Sequence, residues 1–339
     1  MLNERVQKAG DNSVLNQNNI IINNDIESYS NFVLKLFNIN ASQHKEVSDK
    51  IDKRLEKFSD NILKLGKQNE EIKNNISQIE LTEPRFYLEL KIFRDAVIST
   101  DDENIQNLIA RLLIDHIKAK KDLIEKEKII NTTTALKRVD YKALCALTLI
   151  YFVFNRSIIY QKLENAVLRG KSILSSLEYT NLPEGQEFVN HLDSLGLLRI
   201  AYGFTPVKFD QILLSLFNVN SGILYDSENY KTALELINKY NLSPELFIKN
   251  PFDKNHLIIN RRYPKIGAVS ESLERDIIKL YDKNSEEIKK KALEQIKLLI
   301  AGHKCYSELE KLIESMNTSV NFTSTGKYLS ELNLARLKI

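Results

Sequence analysis

The stretch from residue 51 to residue 79, IDKRLEKFSDNILKLGKQNEEIKNNISQI, decides how the fold is predicted. Its apolar residues recur at alternating steps of four and three. The a positions of the repeat are Leu55, Ile62, Asn69 and Ile76, and the d positions are Ile51, Phe58, Leu65, Ile72 and Ile79. A repeat of 3.5 residues over about four heptads is the signature of a coiled coil. The stretch therefore predicts a long helix that faces copies of itself.

The residues at a and d also predict how many copies assemble. The single polar residue at an a position, Asn69, is a device that fixes the register of the strands at some cost in stability. Isoleucine at d disfavours a parallel dimer, so we expect a trimer or a tetramer. The alternative is an amphipathic helix on the protein's own core, but such a helix usually has a wider apolar face. The narrow stripe favours the coiled coil.

An uncharged segment precedes this helix. Residues 12–24, NSVLNQNNIIINN, are rich in asparagine and contain β-branched residues, which favour an extended chain. A single strand is unstable alone, but amide ladders and isoleucine pairs form when copies stack. We therefore expect a strand that pairs with its copies through Val14, Gln17, Ile20 and Ile22. The alternative is a disordered polar tail.

The composition favours helices. The 339 residues include only ten glycines and six prolines, which leaves long helices uninterrupted. We expect a mainly α fold with an N-terminal β-forming segment, a coiled-coil helix and a multi-helix body with small winged-helix-like α/β elements. The predicted segments are a self-associating β segment (1–26), the coiled-coil helix (27–80), a helical bundle (81–174) and a helical C-terminal region (175–339).

Several features of the body predict its elements. Pro84 suits the first turn of a helix. Thr100 and the carboxylates of residues 101–103 suit a helix start, as caps rather than as catalysts. The segment DYKALCALTLIYFVF, residues 140–154, is apolar nearly all round, which predicts the centre of a bundle.

Two fragments of the C-terminal region have the layout of winged-helix pieces. The first is a helix ending at Leu195, a turn at Gly196 and a short strand. The second, residues 320–332, is a strand, a turn at Gly326 and a short helix. A single long helix is predicted between them, from about residue 270 to residue 315.

Charge and cysteine content exclude several classes of protein. Lysine and arginine number 48 against 45 acids, a net charge of +3, which is too balanced to predict nucleic-acid binding. Cys145 and Cys305 form no disulfide framework and no zinc spacing. The start has no signal-peptide core, and the longest apolar run, residues 143–154, is too short to span a membrane. We expect a soluble cytoplasmic protein without a metal, a cofactor or a Gly-rich phosphate loop.

The segment RLLIDH, from Arg111 to His116, is the sharpest enzymatic candidate. Arginine followed by four residues and histidine resembles the motif of HEPN ribonucleases, which are all-α and cleave RNA without metal where two protomers meet. That family usually has a polar residue directly after the arginine, where this chain has Leu112. Residues five apart on a helix also point to different faces. The alternative is a surface arginine and an ordinary helical histidine, so we do not favour an enzyme.

A second alternative is nucleic-acid binding through the C-terminal half. Arg261, Arg262 and Lys265 flank Tyr263, and basic residues beside an aromatic ring can hold a phosphate and stack on a base.

Taken together, several segments resemble an uncharacterised bacterial protein family. The opening pattern GD-x-S-x-x-x-Q matches Gly10, Asp11, Ser13 and Gln17, and a later piece matches residues 177–179, LEY. The helical body is also similar to abortive-infection-alpha-type domains, which end in a glycine-containing segment like FTSTGKYLSEL. The resemblance implies a bacterial cytoplasmic setting and a part in phage defence, and it carries over no catalytic residues.

The function that we expect from these observations is a homo-oligomeric interaction protein, an anti-phage defence effector or sensor. Its partners would be copies of itself, and a phage or host protein would act as the trigger.

Overall fold

The protein is described by a computed structural model over residues 45–67, 84–119, 122–158, 162–201, 204–260, 263–282 and 285–338. Thirteen α-helices dominate these described residues, so the prediction of a mainly α fold is confirmed. The helices are α1 (Lys45–Lys67), α2 (Pro84–Ile98), α3 (Glu103–Lys118), α4 (Leu123–Leu136), α5 (Tyr141–Asn155), α6 (Leu163–Ser176), α7 (Gln186–Ser194), α8 (Phe209–Leu216), α9 (Glu228–Lys239), α10 (Glu271–Lys279), α11 (Ser285–Ile300), α12 (Lys304–Ser315) and α13 (Ser324–Arg336). The strands are β1 (Leu198–Ala201), β2 (Ile223–Leu224), β3 (Phe247–Lys249), β4 (His256–Ile259) and β5 (Ser319–Phe322), and β1 pairs with β5.

The contacts between residues divide the chain into two units. The first unit is Met1–Leu144 with His191–Arg199 and Asn321–Lys338, and the second is Cys145–Asn190 with Ile200–Val320. The division falls within α5, so its first turn belongs to the first unit and its remaining turns belong to the second. These units differ from the four predicted segments, whose boundaries stay a prediction.

The core of the first unit is built from helices. α1 packs on α2 and α3, and α4 packs on α2, α3 and α13. Ile105, Leu108, Ile109 and Leu112 of α3 are fully buried, at the spacing that places them on one side of a helix. Asp102 caps α3, because its Oδ1 accepts hydrogen bonds from the backbone N–H groups of the second and third helical residues. The predicted capping role of these carboxylates is confirmed for Asp102.

The two winged-helix-like fragments meet within the first unit. Gly196, with φ +69°, turns the chain between α7 and β1. The hydroxyl of Thr323 donates to the Gly196 carbonyl at 2.7 Å and accepts from the Gly326 N–H at 3.0 Å. A Cβ on Gly326 would overlap the carbonyl of Leu197, so only glycine allows this close approach. The predicted turn at Gly326 is therefore the first turn of α13, with Thr323 as its cap.

The second unit contains a small antiparallel sheet with β4 in the middle. Ile223 of β2 lies opposite Leu257, and Phe247 of β3 lies opposite Ile259. The apolar side chains of this sheet pack with α9 and α10 in one buried cluster, which includes Ile277.

The prediction of one long helix between residues 270 and 315 is wrong. The structure has three helices there, α10, α11 and α12. Gly302 adopts φ +81°, and the His303 N–H bonds to the Ile300 carbonyl, which turns the chain between α11 and α12. After α10, the N–H of Asp282 donates to the Gly222 carbonyl at 2.8 Å, so the chain leaves the helical path.

Candidate interaction surface

The heptad stripe begins on α1, where the structure buries it within the chain. Leu55 is 2 % exposed, and Phe58 and Ile62 are 0 % exposed. Ser59, at an e position, is buried too, so the buried face of α1 is wider here than a and d alone. Because α1 packs on α2 and α3, this part of the stripe is covered by the protein's own core.

Polar contacts fix α1 at the corner between α2 and α3. The guanidinium of Arg54 donates to the Ile98 carbonyl at the end of α2, and it lies 3.8 Å from the Asp101 carboxylate. Lys57 Nζ donates to Glu103 Oε1 at 2.8 Å, and this hydrogen bond lowers the pKa of Glu103. These contacts join α1 to the turn before α3.

The burial of the stripe decreases near the end of α1. Leu65, the next d position after Phe58, is only half-buried. The remaining stripe residues, Asn69, Ile72, Ile76 and Ile79, lie outside the described residues, and so do Val14, Gln17, Ile20 and Ile22 of the predicted strand. The first half of the stripe, from Leu55 to Ile62, is thus covered by the same chain. For the second half, from Leu65 to Ile79, the coiled coil stays a prediction.

Large apolar side chains are exposed at one end of the first unit. Leu88 of α2 is 62 % exposed and Ile124 of α4 is 83 % exposed, with Tyr87 and Leu123 beside them in sequence. The start of α2 lies against the end of α3, because Phe86 stacks on His116 with 6.1 Å between ring centroids. Exposed apolar side chains are common singly, so these four alone define no interface.

His116, the histidine of the alternative ribonuclease hypothesis, is a core residue. Its side chain is 0 % exposed, and its ring lies against Phe86 and Phe93. Nε2 lies 3.0 Å from Glu89 Oε2 without hydrogen-bond geometry, and the other Glu89 oxygen accepts from Arg85 Nε at 2.9 Å. Burial lowers the pKa of His116 to about 4 against the opposing effect of Glu89, so the ring is neutral at pH 7.

Arg111 does not combine with His116 into a reactive site. It is half-buried, and its Nε is buried without a hydrogen-bond partner among the described residues. Its charge acts on Asp115, one helical turn along, rather than on the imidazole. A neutral imidazole enclosed by two phenylalanines cannot reach an RNA phosphate, so we do not carry the ribonuclease hypothesis forward.

The sequence analysis missed a cluster of ionisable groups around Asp115. The hydroxyl of Tyr328 donates to Asp115 Oδ2 at 2.9 Å, and Lys128 Nζ lies 4.1 Å from the centre of the Tyr328 ring. Burial raises the pKa of Asp115, and burial together with the Asp115 charge raises the pKa of Tyr328. A charged residue within the apolar run LLIDHI was the available signal. The cluster joins α3, α4 and α13, and we assign it a structural role.

The proposed nucleic-acid residues do not form a stacking site in the structure. Tyr263 is 5 % exposed, lies in the core cluster of the second unit, and accepts a hydrogen bond from the Ser243 N–H at 3.0 Å. Arg261 and Arg262 lie outside the described residues, and Lys265 is exposed. The Tyr263 ring therefore has no free face for a base.

Within the described ranges, no three His, Cys, Asp or Glu side chains group together in a way that would hold a metal ion. Cys145 and Cys305 are both free and buried, and burial raises the pKa of the Cys305 thiol. No helix among the described residues is long and apolar enough to cross a membrane.

Comparison with known proteins gives a family for the chain. Neither the curated proteins nor the solved structures contain a match. A family model matches residues 25–338, which include residues 177–179 but not the GD-x-S-x-x-x-Q opening at residues 10–17. The chain therefore belongs, over most of its length, to this uncharacterised family.

Proposed function

We propose that this protein is a homo-oligomeric interaction protein whose copies meet along the stripe from Leu65 onward. The observation that supports the proposal is the change in burial along one continuous repeat. Leu55, Phe58 and Ile62 are buried by the protein's own helices, whereas Leu65 is only half-buried. The heptad register continues to Ile79, with Asn69 as its one polar a position.

In this proposal the helix continues through residues 68–79, and its apolar stripe there is covered by another copy. Burial of such side chains contributes roughly 1.5–3 kcal/mol each, so leaving several of them in water is costly. The same stripe on a second copy has the matching shape and period. With isoleucine at Ile72 and Ile79, three or four copies fit the geometry better than two.

The N-terminal segment would add a second contact between the same copies. Val14, Gln17, Ile20 and Ile22 lie outside the described residues, and their pairing rests on the sequence pattern. Once the helices associate, the strands are held at a high local concentration, and pairing that is weak in isolation becomes favourable.

We propose further that the assembly works in the bacterial cytoplasm in defence against phage, with a phage or host protein as its trigger. Two free, buried cysteines suit a reducing compartment. The FTSTGKYLSEL segment, which carries the resemblance to abortive-infection-alpha-type domains, provides the Thr323 cap and the close approach at Gly326. Plaque counts on bacteria with and without the chain test this role, and equal counts across a phage panel would contradict it.

Assembly is tested by sedimentation of the full chain and of the double variant Ile72→Asp with Ile76→Asp. Two carboxylates in the stripe would be buried beside their copies in the assembly, so we expect the variant to sediment as a monomer. Asn74→Asp with Ser77→Asp is the matched control, because it places the same two charges at outward f and b positions. A wild-type monomer, or an assembled double variant, would contradict the proposal.

A further inference from the structure

A groove in the first unit has features of a small-molecule site. It is an open surface groove of about 290 Å³ between α4 and the junction formed by the Gly196 turn and the start of α13, and Asn131, Thr134, Arg138 and Ser194 are exposed on it. This volume lies near the lower end of the range for ligand pockets, roughly 300–1,000 Å³. The groove therefore has room for a small metabolite.

The walls of the groove are held in place by the junction described above. The Thr323 hydroxyl bonds to the Gly196 carbonyl, and Gly326 lets α13 approach Leu197 closely. Both walls therefore keep their positions in the absence of a ligand, which lowers the entropic cost of binding.

The lining is polar and carries one positive charge. Arg138, Asn131 and Thr325 have side chains that form no hydrogen bond or ion pair with any other described residue. The hydroxyl of Thr134 donates to the Ile130 carbonyl, and that of Ser194 donates to the His191 carbonyl. These two oxygens remain free to accept hydrogen bonds from a ligand.

The lining contains no carboxylate and no aromatic ring. An unpaired guanidinium on such a wall suits a phosphate group, which it binds with two parallel hydrogen bonds. The hydroxyls and the Asn131 amide suit a polyhydroxylated body, and a nucleobase would find no ring on which to stack.

We infer that this groove binds a phosphorylated sugar, with Arg138 on the phosphate and Asn131, Thr134, Ser194 and Thr325 on the sugar hydroxyls. This ligand binding is separate from the association of copies proposed above and does not depend on it. Binding and association are measured separately, so either proposal can fail while the other stands.

The test is calorimetric titration of the full chain with ribose 5-phosphate, and with ribose and inorganic phosphate as separate ligands. We expect binding of ribose 5-phosphate that weakens at least about tenfold in Arg138→Gln. Lys137→Gln is the matched control, since Lys137 is the neighbouring exposed cation and does not line the groove. Thermal unfolding of each variant checks that the fold is intact.

Thr325→Val separates sugar recognition from phosphate binding. It replaces a hydroxyl by a methyl group of similar size, so we expect weaker binding of ribose 5-phosphate. Three results would each overturn the inference: no binding of ribose 5-phosphate, equal binding by Arg138→Gln, or inorganic phosphate binding as tightly as ribose 5-phosphate.

Discussion

The two halves of the heptad stripe share one sequence pattern, and we propose a different environment for each. From Leu55 to Ile62 the stripe lies in the core of the first unit, covered by α2 and α3. At Leu65 the cover is incomplete, although the heptad register continues to Ile79 with Asn69 as its one polar a position. A heptad repeat indicates that a helix packs against an apolar surface along one side. Whether that partner is the same chain or another copy depends on what folds beside it.

The largest expected effect is on the covered half. Phe58→Ala removes a fully buried aromatic side chain, so we expect the free energy of unfolding to fall by about 3–5 kcal/mol. Urea unfolding followed by circular dichroism measures it. Glu56→Ala, on the exposed side of the same helix, is the control and should cost little. If Phe58→Ala dissociated the copies and left the free energy of unfolding unchanged, Phe58 would be covered by another copy and not by its own chain.

Lowering the pH should separate the two halves of the stripe. We expect it to lower the free energy of unfolding of the helical body and to leave the association of copies unchanged. The pKa of His116 is about 4 in the folded chain and ordinarily 6.5, so the unfolded chain binds more protons between these values. Stability therefore falls as the pH is lowered through this window, by at most about 3 kcal/mol from this group. We expect the loss to be smaller in His116→Gln, as measured by urea unfolding at pH 7 and pH 4.5.

His191→Gln is the matched control for this experiment, since His191 is an exposed histidine of the same unit. It should show the wild-type dependence on pH. An unchanged pH dependence in His116→Gln would mean that His116 is accessible to protons in the folded chain. The 68–79 segment has no histidine, so association should be the same at pH 7 and at pH 6.

Leu65 lies between the two halves of the stripe. Its substitution should modestly lower both the stability of the fold and the association of copies. For Leu65→Ala we expect a loss of about 1 kcal/mol of stability, because the side chain is only half-buried. We also expect a weaker association, seen as dissociation at a higher concentration in sedimentation. If Leu65→Ala lowered the free energy of unfolding as much as is expected for Phe58→Ala, the part of the stripe covered by the same chain would include Leu65.

The smallest effect is expected at the Lys57–Glu103 pair. Both side chains are largely exposed, and solvent screens such pairs. Lys57→Ala should leave the midpoint of urea unfolding unchanged within error. A clear loss of stability that persists in high salt would show that Lys57 contributes packing as well as charge.

Particular elements show what the sequence can and cannot predict. The mainly α class, the Asp102 cap and the Gly196 turn follow from local chemistry, and the structure confirms them. The burial of His116 and Tyr263 depends on residues distant in sequence, so a local motif could not predict it. The three helices between residues 270 and 315 are separated in part by Gly302, a residue that the helical pattern alone did not count as an end.

The groove was missed for a similar reason. Arg138, Ser194 and Thr325 are far apart in sequence, and they come together beside the place where Gly326 packs against Leu197. The sequence shows the segment FTSTGKYLSEL as a motif, but it does not show that this segment packs against Leu197.

The measurement that tests the account most directly is hydrogen exchange of the wild-type chain over a range of protein concentrations. We predict that amides of residues 55–62 exchange slowly at every concentration, because their cover belongs to the same chain. Amides of residues 68–79 should be protected at high concentration and lose that protection on dilution, as copies separate. If both halves respond to dilution alike, or if neither responds, the stripe has one environment and the account is contradicted.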